Sequence, residues 1–228
     1  MRTPEFALLF DLDGTLVDTE ELHLAAYAAI FRLFGQDIDM GYYNARIAGK
    51  SNAEIMANAF PQLPVAEHGA LSDRKESLYR SFVGPLEPTP GLRDLLDWAE
   101  QHGLPCAVVT NAPRANATHV LAALGLADRF DGIVAGDEID RPKPDPMPYL
   151  TALARLGAVP ETAVVFEDSL SGIRAGIAAG IATFGMLTSL SEATLLQEGA
   201  VHAIHDFRDA RLWQWLAQRS GKPALKPA

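Results

Sequence analysis

The stretch Phe10-Asp11-Leu12-Asp13-Gly14-Thr15-Leu16-Val17-Asp18-Thr19 begins at the last residue of an apolar run. This run, residues 6–10, predicts a buried strand. Side chains alternate along an extended backbone, so Asp11 and Asp13 are expected on the same side of the chain. Gly14 then permits an immediate turn. Two carboxylates at the end of a strand suit a nucleophile beside a bound metal ion, although paired acids in such a loop also commonly cap a turn or the next helix.

Composition limits the classes of protein to which the chain can belong. Its 228 residues, 48% of them hydrophobic, can bury the core of one domain or of a domain with a small insertion. A formal net charge of -10 opposes binding to nucleic acid or to anionic membranes. The single cysteine, Cys106, has no partner for an intramolecular disulfide. Neither a secretory signal nor a spanning helix is predicted before Asp11, and we expect a cytoplasmic protein that is a monomer or a weak dimer.

Short apolar runs alternate with helical patterns over most of the chain. The runs predict strands at residues 6–10, 106–110, 132–135, 163–166 and 182–186. The helical patterns between them cover residues 91–101, 114–124, 146–156 and 169–179. This alternation predicts an α/β fold with a Rossmann-like, doubly wound parallel sheet, in which the active site lies beyond the carboxyl ends of the strands.

An insertion interrupts the alternation after the first strand. Helices are predicted there at residues 20–34, 51–60 and 65–82, and the second of these begins with Ser51 as N-cap and Glu54 three positions later. We therefore expect an all-helical domain, residues 19–87, inserted into an α/β core formed by residues 1–18 and 88–228. The last residues, 221–228, are low in complexity and are expected to fray.

Three further polar motifs fall at predicted strand ends or helix starts, where phosphate sites are assembled. Thr110 and Asn111 offer a hydroxyl, an amide and backbone N–H groups, although capping the next helix is the more common use of such a pair. Lys143 lies among prolines that fix its backbone, although it could also be a solvated lysine in a turn. Glu167 and Asp168 end an apolar strand, where a divalent cation would offset their repulsion. A helix N-cap at Asp168 is the alternative.

Taken together, the four motifs resemble those of the haloacid dehalogenase superfamily of phosphatases and phosphomutases in order, residue type and strand-end location. The resemblance extends to about residue 205. The helical insertion is similar to the cap domain of the group that contains β-phosphoglucomutase, phosphoglycolate phosphatase and many sugar-phosphate phosphatases.

The resemblance implies a function for each core motif. Asp11 would be the nucleophile, Asp13 the general acid and base, and Lys143 the charge that balances the phosphoryl oxygens. Thr110 and Asn111 would contact the phosphate. The implied Mg²⁺ ligands are the carboxylates of Asp11, Glu167 and Asp168 and the backbone carbonyl of Asp13, a set of hard oxygen donors.

The resemblance also implies that the cap selects the substrate, because in the family a cap loop contacts the distal part of the substrate. The matching loop positions here are Arg46, Gly49, Lys50 and Asn52. His23 stands at the spacing of a cap histidine in β-phosphoglucomutase. Polar residues at a helix start, and a lone histidine, are also commonly structural.

The implied activity is that of a Mg²⁺-dependent phosphatase that hydrolyses a small phosphate monoester, a sugar phosphate or a phosphoglycolate-like compound, through an aspartyl phosphate. A phosphomutase of the β-phosphoglucomutase type is the alternative. That mutase carries arginine where this chain has Asn52, and lysine where this chain has Pro113-Arg114. A protein of this fold that only binds ligands is a remote alternative, because every catalytic position is filled.

Overall fold

The computed structural model describes residues 6–224. Contacts divide the chain into two compact units, one formed by Met1–Asp18 and Leu86–Ala228 and the other by Thr19–Pro85. The sequence predicted an inserted domain of residues 19–87. The predictions for residues 1–5 and for the end of the tail, residues 225–228, lie outside the described residues.

The first unit contains a six-stranded parallel sheet. Its strands are β1 Ala7–Phe10, β2 Cys106–Val109, β3 Gly132–Val134, β4 Ala163–Glu167, β5 Ala182–Met186 and β6 His202–Ile204. They lie in the order β3-β2-β1-β4-β5-β6, and every neighbouring pair is parallel. The predicted Rossmann-like α/β fold is therefore confirmed. The strand order changes direction between β1 and β4, which is the switch point where doubly wound sheets bind ligands.

The second unit consists of helices joined by loops, with no strand among its residues 19–85, all of which the structure describes. Its helices are α1 Glu20–Arg32, α2 Met40–Arg46, α3 Asn52–Ala59 and α4 Val65–Phe82. The sequence did not predict α2, whose seven residues include glycine, asparagine and two tyrosines of low helix propensity. The Asp39 side chain caps it by accepting from the Tyr42 N–H at 2.8 Å. As predicted, Ser51 caps α3 and accepts from the Glu54 N–H at 3.2 Å.

Further helices flank the strands of the first unit. They are α5 Leu92–Gln101, α6 Arg114–Ala123, α7 Met147–Leu156, α8 Leu170–Ala178, α9 Glu192–Gln197 and α10 Ala210–Ser220. The sequence predicted α5 to α8 within one or two residues of these bounds and missed α9 and α10. Among residues 6–224, none of the helices combines the length and the apolar character that crossing a bilayer requires.

The core anchors the strand ends that matter for the site. Phe10 and Phe166, the last apolar residues of β1 and β4, stack with ring centroids 4.9 Å apart, and Phe207 packs edge-on against both. A second buried cluster joins Leu9 and Tyr149 with neighbouring strand and helix residues. Burial on both faces is what an all-parallel sheet requires, and it leaves the polar residues that follow each strand in fixed positions.

Candidate active site

Polar residues lie at the carboxyl ends of three adjacent strands. Asp11 follows β1 directly, Thr110 follows β2, and Glu167 is the last residue of β4. Because β1 lies between β2 and β4, these three positions are neighbours across the sheet. The Asp11 N–H still donates to the carbonyl of Phe166 at 2.9 Å, so the backbone of this nucleophile candidate is held by the sheet.

Lys143 ties these strand ends together, although it belongs to the loop before α7. Its ammonium donates to Asp11 Oδ1 at 2.6 Å, to Glu167 Oε1 at 2.5 Å and to the carbonyl of Val109 at 2.7 Å. All three ammonium protons thus have acceptors. The Lys143 side chain is only 2% exposed. Burial alone would lower its pKa, but the attraction of Asp11 and Glu167 outweighs burial and raises the pKa, so the ammonium stays charged.

Asn111 positions the backbone of Lys143. Its side-chain Oδ1 accepts from the Lys143 N–H at 3.0 Å, and its Nδ2 donates to the Lys143 carbonyl at 3.1 Å. The Thr110 hydroxyl accepts from the Ala112 N–H at 3.0 Å. Neither residue caps α6, whose N-cap is Pro113. The helix-capping alternative for this pair is therefore wrong.

Three carboxylates meet at this edge of the sheet. Asp11, Glu167 and Asp168 are buried, and one oxygen of each lies within 4.8 Å of the other two. Burial and repulsion by Glu167 raise the pKa of Asp11 well above its ordinary value, against the opposing attraction of Lys143. Burial and Glu167 likewise raise the pKa of Asp168 to about 7. One ammonium for three buried carboxylates leaves an excess of negative charge.

This donor set fits a divalent cation. Mg²⁺ takes oxygen ligands, retains waters, and is bound through a few carboxylates together with the phosphates of a substrate. The three carboxylates supply such donors, and no cysteine or histidine belongs to the group found among the described residues. A cation of charge +2 would offset the repulsion that raises the pKa values of Asp11 and Asp168.

Ser169 holds the other side of Glu167 and starts α8. Its N–H and hydroxyl donate to Glu167 Oε2 at 3.3 Å and 3.0 Å, and its hydroxyl oxygen accepts from the Gly172 N–H at 3.0 Å. Ser169 is therefore the N-cap of α8, and the alternative that Asp168 only caps this helix is wrong. Asp168 Oδ2 instead accepts from the Ser189 hydroxyl at 2.6 Å.

Sequence reasoning missed Tyr149, which reaches the site from α7. Its hydroxyl donates to Glu167 Oε1 at 2.8 Å, and the Lys143 ammonium lies 5.0 Å from its ring centroid. Burial and the charge of Glu167 raise the pKa of the hydroxyl, so it stays protonated and able to donate. The signal in the sequence is weak, because a tyrosine within an apolar helix is usually a core residue.

Two glycines make room for the carboxylates. Gly14 has a φ of +77°, and a Cβ there would lie 2.2 Å from Asp168 Oδ2. A Cβ on Gly172, in the first turn of α8, would lie 1.7 Å from Glu167 Oε1. Both distances are far below van der Waals contact, so the carboxylates can occupy these positions only because glycine stands at each. Gly14 thus serves the turn predicted from the sequence and the approach of Asp168.

Asp13 lies two residues beyond Asp11, half-buried, in a loop that folds back on itself. The Gly14 N–H donates to the Val17 carbonyl at 2.8 Å, and the Thr188 hydroxyl donates to the Gly14 carbonyl at 2.6 Å. The loop that carries the predicted acid and base is thus fixed from both sides of its glycine.

Comparison with known proteins identifies the family of the chain. Residues 8–186 match the model of the haloacid dehalogenase-like hydrolases. The chain belongs to this family.

Two similar proteins of this hydrolase family are named as phosphatases, and a third was solved with phosphate bound. The phosphorylated carbohydrates phosphatase of Thermotoga maritima is 35% identical over 86% of this chain and 92% of its own length. The fructose-1-phosphate phosphatase YqaB of Escherichia coli is 35% identical over 76% of this chain and 92% of its own. CbbY from Rhodobacter sphaeroides, solved in complex with phosphate, is 32% identical with a TM-score of 0.74, covering 88% and 94% of the two chains. The predicted enzyme class, a phosphatase of this superfamily, is confirmed.

The loop residues predicted for the cap of this hydrolase lie in the second unit. Arg46 is the last residue of α2, and it is exposed, as are Gly49 and Lys50 in the loop before α3. The Lys50 ammonium donates to the Arg46 carbonyl at 3.0 Å. Asn52 differs, because it is half-buried and its Nδ2 donates to Glu76 Oε1 at 2.5 Å.

Asn52 and His23 belong to a polar network inside this unit that the sequence did not reveal. Asn52 also accepts a hydrogen bond from the Tyr27 hydroxyl. The Lys75 ammonium lies 3.0 Å from both His23 Nδ1 and Glu76 Oε1. Lys75 is 2% exposed and Glu76 is 8% exposed, so this ion pair is buried in a helical unit. Both predicted residues therefore have structural contacts within their own unit.

Proposed function

We propose that this hydrolase is a Mg²⁺-dependent phosphatase that cleaves a small phosphate monoester, a sugar phosphate or a phosphoglycolate-like compound, through an aspartyl phosphate on Asp11. The observation that carries the proposal is the buried group in which Lys143 bridges Asp11 and Glu167 beside Asp168. The names of the relatives, which refer to phosphorylated carbohydrates and fructose 1-phosphate, support the substrate class.

In the first half of the reaction the Asp11 carboxylate attacks phosphorus, and the bond from phosphorus to the alcohol oxygen breaks. Protonated Asp13 donates its proton to the leaving alkoxide. In the second half Asp13, now a carboxylate, takes a proton from a water molecule that attacks the aspartyl phosphate. Inorganic phosphate leaves and Asp11 is regenerated. Two easier steps thus replace one slow displacement.

The remaining residues position and neutralise the phosphoryl group. Lys143 balances negative charge on its oxygens, and Thr110 and Asn111 contact them. Asn111 also fixes the backbone of Lys143 through its two hydrogen bonds. Positioning and charge stabilisation provide most of the catalysis in phosphoryl transfer, because the transition state is loose and its charge is spread over the oxygens.

We propose that Mg²⁺ is held by the carboxylates of Asp11, Glu167 and Asp168 and by the backbone carbonyl of Asp13. When bound, it supplies positive charge against the carboxylates and the phosphoryl oxygens. The hard oxygen donors and the raised pKa values of Asp11 and Asp168 support this assignment.

A phosphomutase would need a cationic grip on a second phosphate while water is kept from the aspartyl phosphate. At the position where the mutase carries lysine, the cation of this chain is already engaged. The Arg114 guanidinium donates to both carboxylate oxygens of Glu138 at 2.7 Å and 2.6 Å, and Asn52 brings no charge. These contacts favour hydrolysis over the mutase reaction.

Removing the metal is expected to abolish phosphate release from every ester. The experiment is a screen of phosphate monoesters with chelator-treated protein, to which Mg²⁺ or Ca²⁺ is returned. Mg²⁺ should restore activity more effectively, because Ca²⁺ takes more ligands in looser geometry. Full activity of the metal-free protein, or a requirement for Zn²⁺, would contradict the proposal.

The mutase alternative is tested with β-glucose 1-phosphate as substrate. Glucose 6-phosphate formed from β-glucose 1-phosphate faster than phosphate is released would establish the mutase instead.

The loop at Lys50 is expected to set the ranking of substrates without setting the chemistry, because every residue assigned to phosphoryl transfer belongs to the first unit. Lys50→Ala should reorder kcat/KM among sugar phosphates and leave hydrolysis of p-nitrophenyl phosphate unchanged. Lys50 suits this test better than Asn52, whose hydrogen bonds stabilise its own unit. Arg74→Ala, which removes an exposed cation of α4, is the control. An equal loss toward all esters would contradict the assignment.

A further inference from the structure

The Tyr149 side chain is fully buried, and its hydroxyl donates to Glu167 Oε1, the same oxygen that accepts from Lys143. We infer that Tyr149 is a positioning residue whose hydroxyl fixes the Glu167 carboxylate, and that Glu167 in turn fixes Lys143 and the metal ligands. The inference rests on the proposed function, because it assigns a part in metal binding and phosphoryl transfer at the same site.

The hydrogen bonds of Glu167 show why its orientation depends on Tyr149. Glu167 is fully buried, so solvent cannot replace a lost donor. Its Oε2 accepts from the N–H and hydroxyl of Ser169, which precede α8. Its Oε1 accepts from Lys143 and from Tyr149. Among residues 6–224, Tyr149 is thus the only uncharged donor to Oε1.

The two donors to Oε1, Lys143 and Tyr149, differ in whether they also bind the phosphoryl group in the proposed reaction. The Lys143 ammonium is shared among Glu167, Asp11 and the Val109 carbonyl. When Lys143 engages a phosphoryl oxygen, it has to give up or weaken one of these three bonds. The Tyr149 hydroxyl has no such second partner in the proposed reaction. The Tyr149 hydroxyl therefore holds the Glu167 carboxylate in place while the Lys143 ammonium binds the phosphoryl oxygen.

The position of Tyr149 is itself rigid. Its ring is fully buried and packs in a cluster with Leu9, Val109 and Val165 of the three strands that carry the site. The ring also lies beneath the Lys143 ammonium, at the distance of a cation–π contact. Phenylalanine would keep the ring, its packing and this contact. Tyr149→Phe consequently removes only the hydrogen bond to Glu167.

The first measurement is Mg²⁺ binding to metal-free Tyr149→Phe by titration calorimetry, with no substrate present. We expect the Kd to rise about tenfold, at the lower end of the range for partners of metal ligands. With a phosphate ester, kcat should fall by a similar factor while KM changes little. Thr183→Val is the matched control, because it removes a buried hydroxyl of β5 that donates to the Ile181 carbonyl. It should bind Mg²⁺ as the wild type does.

A double-mutant cycle tests whether Tyr149 acts through Glu167. In the Glu167→Gln background, adding Tyr149→Phe should change the Mg²⁺ Kd by less than about twofold, because coupled residues are not additive. A full additional loss there would overturn the inference. So would a wild-type Kd and kcat for Tyr149→Phe alone, or an equal loss in Thr183→Val.

If Tyr149→Phe does not fold, ¹⁹F NMR of fluorotyrosine-labelled wild type and Glu167→Gln replaces it, and one tyrosine signal should move between them; unmoved signals would overturn the inference. If the wild type binds Mg²⁺ but hydrolyses no ester, the proposed function fails, whereas the comparison of Mg²⁺ Kd values still decides the role of Tyr149.

Discussion

Asp11→Asn is expected to lower phosphate release by at least about 10⁴-fold, the scale on which loss of a catalytic nucleophile acts. Asparagine is nearly the same size, and its amide oxygen can still accept from Lys143, so the fold should persist. Removing one of three buried carboxylates also relieves their repulsion. The measurement is kcat for the best ester and for p-nitrophenyl phosphate, together with the melting temperature.

The matched control for this variant is Asp128→Asn, which makes the same chemical change at an exposed position. It should keep wild-type activity. If Asp11→Asn retains more than about a hundredth of the wild-type rate, the assignment of Asp11 as the nucleophile is wrong, since a residual rate of that size needs no nucleophile at this position.

Lys143→Met is expected to lower kcat by about 10²–10³-fold, the cost of losing one group that stabilises transition-state charge. It should also destabilise the metal-free protein by roughly 3 kcal/mol, because Asp11 and Glu167 stay buried and lose the ammonium that pairs with both of them. Arg141→Met, two residues earlier in the same loop and 63% exposed, is the control and should change neither quantity appreciably.

The destabilisation by Lys143→Met should depend on pH. The pKa of Asp168 is about 7 in the folded protein, above its ordinary value of 3.8. Its contribution to stability is therefore fully present below the ordinary value and is lost as pH rises through about 7. Lys143 opposes this loss by lowering the pKa values of Asp11 and Asp168. Denaturant unfolding with a chelator present should therefore show a larger deficit above pH 7 than below it, and equal deficits would contradict the electrostatic account.

The convergence of the core motifs was predictable from the sequence because it depends on local signals. Apolar runs bounded by glycine, proline or acids mark where each strand ends, and parallel strands bring their carboxyl ends to one edge. Asp11, Thr110 and Glu167 therefore had to lie close together once the sheet was parallel. Lys143 was predicted through the resemblance and the prolines around it, and the structure supplies its three acceptors.

The contacts that hold the site were not predictable, since they join residues distant in sequence and similar to ordinary core residues. Tyr149 meets Glu167 across 18 positions, and Asn111 meets Lys143 across 32. In the sequence Gly172 resembles any glycine in a helix, whereas in the structure the Glu167 carboxylate occupies the space that a Cβ would fill. In each case the role depends on how helices pack on the sheet, which no local pattern encodes.

The sequence analysis missed α2 and α10 for different reasons. The short α2 has weak helix formers, and its Asp39 cap is a faint signal in the sequence. In contrast, α10 carries a readable pattern, with the Asp209 cap followed by buried residues at helical spacing, Leu212, Trp213 and Leu216. The buried pair Lys75 and Glu76 could not be foreseen, because adjacent charges on a helix are normally solvated.

The central claim is that Asp11 becomes phosphorylated during turnover. The most direct test is rapid acid quenching of the enzyme during hydrolysis of its best ester with Mg²⁺ present, followed by mass spectrometry of its peptides. The account predicts one additional phosphoryl group on the peptide that contains Asp11, absent from Asp11→Asn and lost when substrate is exhausted. Sustained turnover with no phosphoryl group on that peptide, or with the label on another residue, would contradict it.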